Sequence, residues 1–217
     1  IVAVGETLSD ARRNLELADI HPQIKPAAGL YPTYLDVDQA EAMVAFIRRH
    51  RSQLVAIGEV GLDYWMVKDS AGRDVQREIF SSFIDLAIEL ELPLNVHSRS
   101  AGRHAVSLLL TRGARRVQMH AFDGKISAAR AAVEAGYYFS IPPSVVRSRQ
   151  KQKLVRHLPL ESLLVETDSP VLGPDALARN EPANLTTAID AIAAIKGLEP
   201  QAVIASVVAN TRALYGF

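Results

Sequence analysis

A chain of 217 residues with 48% hydrophobic content can bury a sizeable core, and because no polar linker divides it, one domain is expected over residues 1–217. Its 24 basic residues balance 24 acidic ones, which excludes binding of nucleic acid by overall charge alone and requires any polyanionic substrate to be caught locally. The absence of cysteine excludes disulfide partners and thiolate chemistry, leaving nitrogen and oxygen to hold any metal.

Seven apolar runs rich in β-branched residues read as strands: "IVAVGE" from Ile1, "IKPAAGL" from Ile24, "LVAIGE" from Leu54, "PLNVH" from Pro93, "RVQMH" from Arg116, "GYYFSI" from Gly136 and "LLVETD" from Leu163. Helical periodicity lies between them, as in residues 39–50, 75–90, 102–111 and 127–135, and two closing helices follow Asn184 and Pro200. No apolar run reaches membrane-spanning length and the N-terminus is not signal-like, so the cytoplasm is the expected compartment and a membrane is not an expected partner.

Alternating strands and helices imply parallel strands covered by helices, in a closed barrel or an open doubly wound sheet. The turn after "IVAVGE" is "TLSDARR", without the phosphate-cradling glycines that an open dinucleotide-binding sheet carries there. Strand after strand instead ends in a metal-ligand residue type: Glu59, His97, His120 and Asp168. Strand ends are where a β/α barrel gathers its catalytic groups, so the expected fold is an α/β TIM-type barrel with seven of its eight strands evident.

Two imidazoles and two carboxylates suit Zn, Mn or Mg and leave the metal's identity open. A pair of such ions would share a bridging carboxylate and activate water for displacement at a phosphoryl centre. Two residues earlier on the same strand faces stand Asn95, Gln118 and Glu166, polar groups expected to support the ligands from beneath. Each residue alone has a plainer reading, as a satisfied core histidine, a helix cap or a turn residue, but the coincidence of four strand ends disfavours that reading for the set. His21, His50, His104 and His157 lie in loops or on helices and are assigned no role.

At these residues the chain resembles the TatD family of metal-dependent deoxyribonucleases, within the barrel amidohydrolases. The resemblance is carried, in order, by "GEVGLDY" (58–64), "VHSR" (96–99), "MHAFDG" (119–124), "ETDSP" (166–170) and "RNEPANL" (179–185). It implies that Glu59 bridges two divalent metals, that His97 and His120 complete one site, and that Asp168 binds the other and assists the attacking water. It further implies DNA as substrate, at single-stranded or frayed ends, largely with 3′-exonuclease action; some relatives deacylate D-aminoacyl-tRNA instead. The family's first strand carries a His-x-His pair that nothing before Ile1 supplies, so an eighth strand, on roughly one further βα unit upstream, is expected. A degenerate relative lacking it is the alternative. The complete protein would then hold two ions, and this chain one or none. The chain also carries Tyr31 in "GLYPTY" where many relatives have His, and a phenol cannot replace imidazole as a base near neutral pH.

For substrate grip, Arg99 and Arg103 are placed to meet phosphate, while Tyr31, Tyr64 and Trp65 offer aromatic faces for a base or sugar. Lys125 reads better as a solvated surface residue. Asn184 is expected to cap the helix it opens, with Arg179 and Glu181 near the mouth. The leading expectation is DNA phosphodiester hydrolysis, with Asp168 and Glu59 as catalytic residues. The alternatives are hydrolysis of another ester or amide and a catalytically silent scaffold.

Overall fold

The computed structural model describes residues 1–217, and its seven-stranded sheet takes its strands in chain order. The chain divides into two compact units, Ile1–Gln118 and Met119–Phe217.

In the first unit the elements are β1 (Val2–Ala3), α1 (Leu8–Ile20), β2 (Lys25–Ala28), α2 (Val37–Arg49), β3 (Ala56–Gly61), α3 (Ser70–Leu90), β4 (Leu94–His97) and α4 (Gly102–Arg112); β5 (Val117–Met119) spans the division. The pairs β1–β2, β2–β3 and β3–β4 are parallel. Side-chain caps start the helices: Thr7 and Asp10 form a reciprocal capping box on α1, and Asp36 accepts from the Gln39 N–H on α2. Asp69 accepts from the Gly72 N–H, which starts α3 at Ser70, five residues before the apolar periodicity begins. Ala40, Met43 and Ile47 form the buried stripe of α2, and Phe80, Phe83 and Ile84 that of α3. Each fully buried Phe or Ile contributes roughly 2 kcal/mol of transfer free energy.

One irregularity interrupts this sheet. Ile57 pairs with Leu94 but Val60 pairs with Val96, so β3 carries an extra residue in the stretch holding Gly58 and Glu59. Glycine is required on both sides of Glu59. A Cβ on Gly58 would lie 2.6 Å from the Asn95 Cβ, and one on Gly61, whose φ is +146°, would lie 2.0 Å from the His97 carbonyl oxygen.

The second unit contains α5 (Ile126–Glu134), β6 (Tyr138–Ile141), α6 (Arg149–His157), β7 (Leu163–Val165), α7 (Leu185–Lys196) and α8 (Pro200–Tyr215). β6 and β7 are parallel, with Phe139 opposite Leu163. Phe122 meets Phe139 edge to face at 5.2 Å, and Asn210 on α8 donates to the Leu160 and Leu163 carbonyls at the entry to β7. The expected cap at Asn184 is not formed. Its Nδ2 donates to Asn180 Oδ1 instead, because a 3₁₀ turn over Pro182–Asn184 already leads into α7. No single helix is long and apolar enough to cross a membrane.

Candidate metal centre

Glu59 and His97 are both buried, and Glu59 Oε1 lies 2.6 Å from His97 Nδ1. The opposite ring nitrogen, Nε2, lies 3.1 Å from Asp63 Oδ2. A neutral imidazole has one N–H to give, so two carboxylates on one ring leave a buried net negative charge even when the ring is protonated. Asp63 is fully buried. Burial would raise its pKa, but the His97 hydrogen bond and the N–H groups of Met66 and Trp65 outweigh this and hold the carboxyl below its ordinary value. Glu6 stands on the same side: partial burial and the charges of Glu59 and Asp10 raise its carboxyl.

His120, Glu166 and Asp168 form the corresponding group in the second unit. Glu166 Oε2 lies 2.6 Å from His120 Nδ1 and accepts from the Ser140 hydroxyl at 2.7 Å, while Oε1 accepts from the Ala121 N–H at 2.9 Å. Burial opposes ionisation of Glu166, yet His120, Ser140 and Lys151 together lower its pKa, so it is a fixed carboxylate. With Nδ1 held, His120 turns Nε2 toward Asp168 Oδ1, 3.4 Å away. Asp168 has a φ of +56° and Ala121 of +39°, left-handed conformations that non-glycine residues adopt where surrounding contacts enforce them. Asn180, itself buried, enforces the first by donating to the carbonyls of Thr167 and Val171 on either side of Asp168.

The two groups repeat one device. Each histidine has one ring nitrogen held by a carboxylate fixed by backbone N–H donors, Asp63 or Glu166, and the other turned to a second carboxylate, Glu59 or Asp168. Glu166 thus supports a histidine, as a residue beneath the ligands should, although the histidine is His120 and not one on its own strand. For His97 the ring partners are Glu59 and Asp63, and Asn95 instead packs its Cβ against Gly58. Gln118 is buried on β5 two residues before His120. Asp63 lies in the loop beyond β3, where counting along a strand face does not reach; its only sequence signal is its place in "GEVGLDY". Lys151 on α6 is a further buried cation, donating to the Ala121 carbonyl at 2.9 Å. Burial lowers its pKa, against the pull of Glu166, Asp123 and Asp168.

The aromatic candidates separate. Tyr31 packs edge-on against His97 at 5.0 Å, and burial together with Glu59, Asp63 and Glu6 pushes its hydroxyl pKa upward, so the group is a neutral donor and not a base. Tyr64 is buried, its hydroxyl accepting from Arg77 at 2.9 Å and its ring covered by Arg73, so it packs the loop. Trp65 is 49% exposed, with the Arg99 guanidinium 3.8 Å from its ring centroid. Arg103, Lys125, Arg179 and Glu181 are exposed.

In the first unit the Glu59 carboxylate and the His97 imidazole, with the further carboxylate of Asp63 on the same ring, and in the second unit the His120 imidazole turned toward Asp168, are oxygen and nitrogen donors of the kind a divalent ion takes. Fold and donor set define a metal-dependent hydrolase. The chain belongs to the TatD-related DNase family, whose model matches residues 1–216. It is 41% identical to human deoxyribonuclease TATDN3 over 99% of this chain and 83% of that protein. It is 32% identical to the Bacillus subtilis metal-dependent hydrolase YabD over 99% of this chain and 86% of that one. A Salmonella typhimurium relative, named 3′-5′ ssDNA/RNA exonuclease TatD, is 30% identical over 99% of this chain and 86% of its own. The crystal structure of the Escherichia coli TatD homologue YjjV superposes with a TM-score of 0.90 at 23% identity, covering all of this chain and 86% of that one, which establishes the α/β TIM-type fold. These relatives place the chain among enzymes and set aside the silent scaffold.

Proposed function

We propose that this chain, as one cytoplasmic catalytic domain, removes nucleotides from the 3′ end of single-stranded or frayed DNA, with Glu59, His97, His120 and Asp168 as metal ligands. The observation that carries the reading is the repeated device at His97 and His120, each ring held on one nitrogen by a fixed carboxylate and turned toward a second carboxylate on the other. When bound, divalent ions supply positive charge against the phosphoryl oxygens and lower the pKa of water.

The chain's own residues do the rest. Glu166 and Asp63 fix ring orientation, so that neither imidazole must reorganise during the reaction. Asp168 accepts the proton of the attacking water as the new P–O bond forms and the P–O bond to the preceding nucleotide's 3′ oxygen breaks; solvent returns a proton to that oxygen. Tyr31, a neutral phenol beside His97, donates a hydrogen bond to a phosphoryl oxygen. The name of the Salmonella relative supports the polarity and the strand preference.

The reading is tested with single-stranded DNA labelled at either end, incubated with the protein after chelation and after return of Mg, Mn or Zn. Stepwise loss from the 3′ end is expected with a divalent ion alone, and replacement of Asp168 by Asn should lower the rate by about a hundredfold or more. Hydrolysis indifferent to chelation would remove the metal ligands from the account. Cleavage of D-aminoacyl-tRNA without cleavage of DNA would transfer the site to acyl chemistry.

A further inference from the structure

The loop between β3 and α3 holds an exposed aromatic ring more tightly than packing requires. Asp63 Oδ1 accepts from the N–H groups of Trp65 at 2.9 Å and Met66 at 2.8 Å, while its other oxygen holds His97. The Tyr64 N–H donates to the Arg99 carbonyl at 3.0 Å. Arg73 donates to the carbonyls of Val67 and Tyr64, and Arg77 donates to the Tyr64 hydroxyl. The backbone under Trp65 is therefore fixed from the strand side and the helix side, yet the indole is 49% exposed and Met66 beside it 54%. Nothing in the core uses this ring.

The charges nearest the ring are cationic. Arg99 lies 3.8 Å and Lys68 5.6 Å from the ring centroid, and both are exposed, as is Arg103. The nearby acids are already engaged: Asp69 caps α3, Asp74 pairs with Arg77, and Asp63 is buried. On a chain of zero formal charge, this is a local cationic patch around an aromatic face. Arg99 also acts electrostatically on Tyr31, whose ring packs on His97, so the patch adjoins the Glu59–His97 group within the same unit.

We infer that Trp65 is a stacking platform for an unpaired nucleobase of the DNA strand, with Arg99 and Lys68 meeting the flanking phosphates and Asp63 fixing the platform relative to His97. This rests on the nuclease reading above and adds to it the means of holding a strand. An indole face stacks on any base without selecting sequence, and it is closed to bases paired within a duplex. Preference for unpaired ends then follows from geometry, and Tyr64, buried beneath, has no part in it.

Trp65 is the only tryptophan of the chain, so its fluorescence reports the platform directly. The protein, held in chelator so that nothing is cleaved, is titrated with a short 5′-labelled oligothymidylate and with a strand of the same length built of abasic residues. Both carry the same phosphates, and label anisotropy gives both affinities. Quenching of Trp65 by the thymidylate alone is expected, with about tenfold tighter binding than to the abasic strand. Trp65→Ala should bring the two affinities together; Trp65→Phe, which keeps a ring, should preserve most of the difference.

Equal affinities for the two strands in the unaltered protein, or a preference that survives in Trp65→Ala, would overturn the platform. Parallel hydrolysis of the same strand with divalent ion separates the two readings. Cleavage without base-dependent binding leaves a nuclease with no platform, whereas base-dependent quenching without cleavage under any ion keeps the platform and removes the nuclease.

Discussion

Asp63 shows how much of this site depends on a residue that is not itself a proposed ligand. Its two oxygens divide their work, one on His97 and one on the backbone beneath Trp65, so a change of one atom should disturb both. Asp63→Asn retains the shape but loses the charge that outcompetes burial, and its amide can no longer accept on both sides. The expected result is about a 10- to 100-fold loss of metal affinity or activity. Isothermal titration of the chelated variant with Mn checks it, and unchanged affinity with unchanged turnover would make Asp63 a loop-former only. At this scale the sequence is partly legible. Glu59, His97, His120 and Asp168 stand out because an ionisable residue closing an apolar run of sequence has no packing reason to be there, although only His97 proves to be the last residue of its strand and Glu59 lies within β3. Asp63 and Lys151 do not stand out, since a loop acid and a lysine in "RQKQKL" look like any solvated charge until burial is known. Asn95 shows the opposite failure: it occupies the right face of β4, but the His97 ring is already held by Glu59 and Asp63.

At the level of elements, strands and helices follow from periodicity because each has one buried face to advertise. The exceptions lie where a local device overrides the period. α3 starts five residues early on the Asp69 cap, and Asn184 gives its side chain to Asn180 in place of a helix terminus. The irregular register of β3 is the exception that matters for chemistry, because the extra residue at Gly58 and Glu59 breaks the alternation by which faces are assigned and re-aims the carboxylate. Gly61 closes this irregular stretch with a φ of +146° and direct backbone contact to β4. Gly61→Ala would need both a disfavoured backbone conformation and separation of β3 from His97. A loss of at least ~3 kcal/mol is expected, appearing as a melting midpoint lower by roughly 6–12 °C. A midpoint within a degree or two of the parent would show that the strand pair relaxes at little cost and that the register is not tightly imposed.

For the whole molecule, alternation of strand and helix was enough to predict a parallel α/β architecture, since few chain folds bury so many apolar strands with intervening amphipathic helices. Sequence cannot show the balance of charge inside. Around His97 stand the buried Glu59 and Asp63, more carboxylate than one imidazole can neutralise, whereas around His120 the charge of Glu166 and the part-exposed Asp168 is met in part by Lys151. Folding against that charge costs stability that a bound cation would return, and an ion that binds only the folded chain stabilises it by about 2.7 kcal/mol at a hundred times its dissociation constant. For a domain of this size that corresponds to a rise of roughly 5–10 °C in midpoint. Calorimetric melting in chelator and then in excess Mn or Zn should show this rise. Glu59→Gln should melt in chelator no lower than the parent, because it removes one of the crowded charges, and it should lose most of the ion-induced gain along with hydrolysis. If parent and variant gain equally on addition of ion, Glu59 is not a ligand, and the surplus negative charge must be balanced elsewhere in the chain.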